Sequence, residues 1–211
     1  MDTAQIEALI TEKCGEPDAE SEIGELLGVA ADRQGREVND VDLERGARFV
    51  CRYIELVPYM IKVAWTAAVA VGLQGPMGRI LDAVQSYWLE DDDIIPDQIG
   101  VVGLLDDAYC SLSSLQLVSD HYRLQTGKYL FPDDLTGANQ VMRKIIGEPY
   151  ASDLDRLVTG TMQSAGLLEA VKALAGPEKQ IDFSNKSTIW NHGPAGDIDL
   201  RELDRFGLLE D

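Results

Sequence analysis

Basic residues are scarce: Lys and Arg number 18 against 37 Asp and Glu, a formal net charge of −19. A field of that sign repels phosphate backbones and anionic headgroups, so nucleic acid is disfavoured as a direct partner, whereas metal cations and basic protein surfaces are favoured. Cysteine is scarce too. Cys14, Cys51 and Cys110 are odd in number, far apart in the chain and never in C-x-x-C spacing. That pattern suggests neither a disulfide framework nor a zinc site and suits a reducing cytoplasm. The first residues, Met1-Asp2-Thr3-Ala4-Gln5, lack the basic and apolar regions of a secretory signal. The most apolar stretch, Ile54 to Leu73, carries Glu55, Pro58 and Lys62. Only Val63 to Leu73 is free of charge, about half of the roughly 20 residues a membrane span needs, so a buried core helix is expected there.

Catalytic signatures are also missing. There is no Walker A loop, G-x-G-x-x-G, H-E-x-x-H or nucleophile elbow. His121 shares a helical stripe with Asp107 and Cys110, but at 1.5 Å per residue they lie roughly 21 and 16 Å away along the axis, too far to join in one dyad or metal site. His192, in Asn191-His192-Gly193-Pro194, reads as a turn residue.

What the chain does have is helical periodicity nearly throughout. The expected fold is all-α, a bundle of about six to eight helices with a mixed C-terminal tail. Residues 1–38 form an N-terminal helical segment, with pieces at about Thr3 to Cys14 and Asp18 to Asp32. Residues 39–176 form the helical core. Within it a pattern starting at Asp40 meets Pro58, which removes a backbone donor and predicts a kink or break. Helices follow at about Pro76 to Leu89, Leu105 to Thr126 closing on Gly127, and Asp134 to Ile146 closing on Gly147. A last long helix opens on an approximate capping box, Ser152 with Asp155, and stops at Gly176-Pro177. Residues 177–211 are a tail with a possible short helix, Asp199 to Leu209. The apolar residues Phe183, Ile189, Trp190, Leu200, Leu203 and Phe206 predict that this tail docks on the protein's own body.

The candidate site lies between Tyr87 and Asp107, where six aspartates and a glutamate surround a short link punctuated by Pro96, Gly100 and Gly103. Carboxylates this close repel one another and must accept hydrogen bonds, bind a cation or stay in water. One reading makes Asp97 and Asp106 turn-formers or caps, a good cap stabilising by about 0.5–2 kcal/mol, and leaves the remaining acids in water. The other brings Asp93, Asp97, Asp106 and Asp107 together on Mg²⁺, Mn²⁺ or Ca²⁺, hard cations that take carboxylate oxygens. The spacing is not that of an EF-hand. Within the link, Pro96 is expected to fix the backbone, and Gly103 to supply a conformation costly to other residues, more so than Gly100.

The string Tyr87-x-Leu89-x-x-x-Asp93-Ile94-Ile95-Pro96-Asp97-x-Ile99-x-x-x-Gly103-x-Leu105-Asp106-Asp107 resembles the signature of the YkvA-like domain, a small helical domain of unknown function; with its flanks the likeness spans about residues 60–127. One departure is Gly100, where the family commonly has a second proline. The resemblance implies a helical module, membrane-associated in some members, without an established catalytic activity, and it transfers no catalytic residue. A membrane habit is weakened here by the polar residues Ser111, Ser113, Ser114, Gln116 and Ser119 of the next helix.

Three functions stay open. The first is a non-catalytic helical interaction or accessory module that needs no cofactor and takes a protein partner. The second is a divalent-metal-dependent enzyme acting on a phosphorylated substrate through the four aspartates. The third is a peripheral membrane protein using Val63 to Leu73.

Overall fold

The computed structural model describes residues 2–89, 97–174, 187–188 and 200–209. Among them the chain is an all-α bundle: α1 (Ala4–Cys14), α2 (Ala19–Arg33), α3 (Asp40–Glu55), α4 (Val57–Ala70), α5 (Gln74–Leu89), α6 (Leu104–Thr126), α7 (Thr136–Ile146), α8 (Tyr150–Ser164) and α9 (Leu167–Ala173). Two 3₁₀ helices, Asp97–Gly103 and Leu200–Phe206, complete it. The one extended pairing among the described residues is two residues long: β1 (Asp133–Asp134) lies parallel to β2 (Ser187–Thr188).

Local chemistry sets most of the boundaries. Asn39 caps α3 by accepting from the Asp42 N–H at 3.0 Å, and Asp42 reaches back to the Asn39 N–H at 3.4 Å. The break expected near Pro58 occurs at Leu56, and Pro58 occupies the first turn of α4, where its missing N–H is not needed. Gly127 ends α6 at φ 77°, a left-handed value that glycine adopts without Cβ strain. Two expectations need correcting. The last long helix is split into α8 and α9 at Gly166, whose φ is +64°, and this split takes the α-helices to nine among the described residues. Its expected capping box is absent as well, because the helix already begins at Tyr150 and Asp155 pairs with Tyr109 and Arg143 instead.

One apolar core runs through the molecule. Ile6, Ile10, Ile23 and Leu27 of the N-terminal helices share it with Phe49, Met60, Met77, Leu112 and Leu154 of residues 39–176. Its axis is α6, which packs against α3, α4, α5, α7, α8, α9 and the first 3₁₀ helix. The polar side of α6 read from the sequence is not a solvated face: Ser111, Ser114, Gln116 and Ser119 are all buried. Their small or hydrogen-bonded side chains let neighbouring helices approach. Ser111 Oγ accepts from Trp88 Nε1 at 2.8 Å and donates to the Asp107 carbonyl at 2.7 Å, while Gln116 Oε1 accepts from the Leu135 N–H at 2.8 Å.

The described part of the tail docks on the body. Leu203, Phe206 and Leu208 are buried, and Arg205 pairs with the buried Asp42 at 3.4 Å. Gly46 makes the seat: a Cβ there would stand 2.6 Å from Leu27 Cδ1 and 3.0 Å from Phe206 Cζ. Leu200 opens the second 3₁₀ helix, whereas Phe183, Ile189, Trp190 and His192 lie outside the described residues.

Candidate functional site

Of the four candidate ligands, Asp93 lies outside the described residues and Asp97 opens the first 3₁₀ helix with its backbone alone described. Asp106 and Asp107 fall in the first turn of α6, at zero exposure. Their negative charge complements the positive end of the α6 dipole, which moderates the cost of burying it. Asp106 is not a cap in the sense expected. Its Oδ2 accepts from Tyr87 Oη at 3.0 Å, and the residue before α6, Gly103, offers no side chain to the helix end. Among the described residues, no group of three or more His, Cys, Asp or Glu side chains stands close enough to hold a metal ion.

The first 3₁₀ helix is held by a residue that no local pattern singles out. Glu22, on α2, accepts from the Val101 N–H at 3.1 Å. Its carboxylate crowds Gly100, where a Cβ would come within 2.7 Å of Oε1 and nearer still to Oε2. Gly100 also has φ +67°. The special backbone of the link therefore belongs to Gly100, and Gly103, at φ −64°, is ordinary helical backbone. Composition pointed to both glycines, but only the approach of a helix distant in sequence distinguishes them.

Two grooves flank α6. The first, of about 370 Å³, lies between α5, α6 and α8; Ala83, Val84, Tyr87, Leu157 and Val158 give it apolar walls, and Cys110 and Ser114 line it from α6. Leu157 stands 39% exposed at this groove, an apolar side chain left in water. Burial, reinforced by Asp106, Asp107 and Asp155, pushes the Cys110 thiol far up, so it stays protonated and unreactive.

The second groove, of about 310 Å³, lies between α6, α7 and α8 and is polar. Asp155 Oδ1 accepts from Tyr109 Oη at 2.6 Å, and Oδ2 from Arg143 Nε at 2.9 Å. Arg143 Nη2 also donates to Glu148 Oε1 at 2.8 Å. Burial, then the hydrogen bond to Asp155, pushes the Tyr109 hydroxyl up, so it is a donor at every physiological pH. A carboxylate engaged on both oxygens is a clasp between α6, α7 and α8, not an available general base.

No family model, curated protein or solved structure matches this chain. Among the described residues, no helix is long and apolar enough to cross a membrane.

Proposed function

We propose that this protein is a non-catalytic interaction module that takes a basic, amphipathic segment of a partner protein in the groove between α5, α6 and α8. The observation that carries the reading is that groove itself: apolar walls with a part-exposed Leu157, on a chain where acids outnumber bases 37 to 18. An apolar channel on a strongly negative protein favours a ligand with one apolar stripe and a cationic face. Asp82 on α5 and Asp153 on α8 each lie within one helical turn of the groove residues Ala83 and Leu157, adding acidic character at its edges.

The test is fluorescence anisotropy with a labelled amphipathic helix of leucine and lysine, against the same peptide with glutamate for lysine. The lysine peptide is expected to bind, more weakly as salt rises, and Leu157→Glu to weaken binding by about tenfold. Equal affinity for the two peptides, or no effect of Leu157→Glu, would overturn the reading.

A second reading retains a divalent-cation site in the acidic link, as the site of a metal-dependent enzyme on a phosphorylated substrate. It is favoured by two consecutive carboxylates, Asp106 and Asp107, at zero exposure beside the 3₁₀ helix that Asp97 opens. A melting temperature raised by millimolar Mg²⁺, Mn²⁺ or Ca²⁺, and not in the Asp93, Asp97, Asp106 and Asp107 quadruple alanine variant, would support it. Kinship with the YkvA-like domain is likewise a proposal resting on the motif at 87–107, and it fits either reading.

A further inference from the structure

In a chain with 37 acids, the longest stretch without one is Leu56 to Leu81, 26 residues that form α4 and the start of α5. The outward face of α4 carries Tyr59, Val63, Thr66, Val69 and Ala70 at three- and four-residue steps. Val63 is half-buried and the other four are exposed, Tyr59 at 39% and Val69 at 50%. The two cations of the stretch are both engaged: Lys62 pairs with Glu7 at 2.6 Å, and Arg79 Nη2 donates to the Ala165 carbonyl at 2.6 Å. Asp133 lies near Tyr59 but is itself buried. The result is an apolar, uncharged surface on a protein that is strongly negative elsewhere.

Charge selects the occupant of this face. A cationic ligand meets no free carboxylate on α4 and is drawn to the acidic faces instead, while phosphates meet no free cation there and are repelled by the field of the whole chain. The partner must therefore be apolar and uncharged at the contact, and a second copy of the same face meets that requirement. Two chains of net charge −19 repel one another, and they do so least where both contact surfaces lack acids.

We propose that the outward face of α4 is a self-association surface, on which two copies of this chain pack α4 against α4, antiparallel, about a two-fold axis between Val63 and Thr66. That axis sets Tyr59 of one copy opposite Ala70 of the other and Val63 opposite Thr66, a larger side chain facing a smaller one at each step, so that the helices approach closely. The 14 residues of α4 make a face about 21 Å long. With the start of α5 it offers roughly 500 Å² per copy, about 1,000 Å² for the pair, at the lower limit of specific interfaces. The dimer is accordingly weak, with a Kd of about 10⁻⁴ M.

The experiment is sedimentation velocity on the full chain from about 10 to 500 μM, at low salt and at about 0.5 M salt, with parallel samples spun with vesicles of neutral phosphatidylcholine. The mean mass is expected to climb with concentration from that of one chain toward that of two. Association should tighten several-fold at the higher salt, because screening weakens the repulsion between copies. That dependence is opposite in sign to the one expected for a basic peptide in the groove between α5, α6 and α8, so the two contacts are told apart. Thr66→Glu, at an exposed position, sets two acids beside the axis and should weaken association by about tenfold or more with the melting temperature unchanged. Leu157→Glu, at the groove, should leave association as it is. A single-chain mass at every concentration in both salts, or association that Thr66→Glu leaves intact, would overturn the proposal. So would a single chain that sediments with the vesicles and ceases to do so on Thr66→Glu, which would make the face a membrane contact.

Discussion

Helices α4 and α6 reverse what their compositions suggest. α4, Val-Pro-Tyr-Met-Ile-Lys-Val-Ala-Trp-Thr-Ala-Ala-Val-Ala, is the more apolar, yet 6 of its 14 residues are buried and Val69 is 50% exposed. α6 carries three buried serines, a buried glutamine and two buried aspartates, and 15 of its 23 residues are buried. The difference comes from position. α4 packs with one side toward the bundle, whereas α6 is surrounded by seven other elements. A helix enclosed on all sides needs small side chains where neighbours come close and polar groups that find partners there, as Ser111 does with Trp88 and Gln116 with Leu135.

Substitutions on these two helices should separate them most widely. Leu112→Ala, at the centre of α6, is expected to cost about 2–5 kcal/mol by leaving a cavity. Val69→Ser on α4 should stay within about 0.5 kcal/mol. Urea titration of both variants checks this, and similar midpoints would mean that α6 is not the axis of the core. A comparable loss, about 3–5 kcal/mol, is expected for Phe206→Ala, because its ring fills the seat made by Gly46 against Leu27. An unchanged denaturation midpoint would show that the tail contributes nothing to the body.

The link offers a sharper contrast within a few residues. Gly100→Ala should destabilise by about 1–2 kcal/mol from its left-handed backbone alone, and further through the Glu22 carboxylate. Adding Glu22→Ala should recover the second part and leave the first, a coupling that a double-mutant cycle measures. Additive losses would mean that Glu22 does not touch Gly100.

A smaller effect than that of Gly100 concerns Asp133, which is buried with no hydrogen-bond partner for Oδ2 among the described residues. Burial raises its pKa above the unfolded value. The folded state therefore holds the proton more tightly, and the stability this group contributes is present below the unfolded pKa and lost as pH rises through the folded one. Asp133→Asn should accordingly stabilise by about 1 kcal/mol at neutral pH and make little difference in acid. A gain of equal size at both pH values would point to packing instead of charge.

Much of the helical plan was readable from local features. Gly15, Gly127 and Gly147 sit just past helix ends, Pro58 and Pro76 sit in first turns, and most periodic apolar residues of α2, α3 and α5 are buried, with Leu26, Leu43 and Tyr87 partly so. The break at Gly166 is not legible in the sequence, because a lone glycine in a periodic stretch is compatible with an unbroken helix. The candidate site was read only in part. Charge density points to the buried acids Asp106 and Asp107, but no local pattern points to Glu22, the grooves beside α6 or the Arg143–Asp155–Tyr109 clasp.

The sequence by itself determined the helical class, most of the helix ends and the acidic character, because these follow from nearest-neighbour backbone chemistry, a period of 3.6 residues and a count of charges. Only the tertiary structure decided which helix lies at the centre and which glycine of the link must be glycine. Those depend on contacts between residues distant in the chain, as between α2 and the first 3₁₀ helix at Glu22 and Val101. No periodicity along one segment encodes how closely another will approach it.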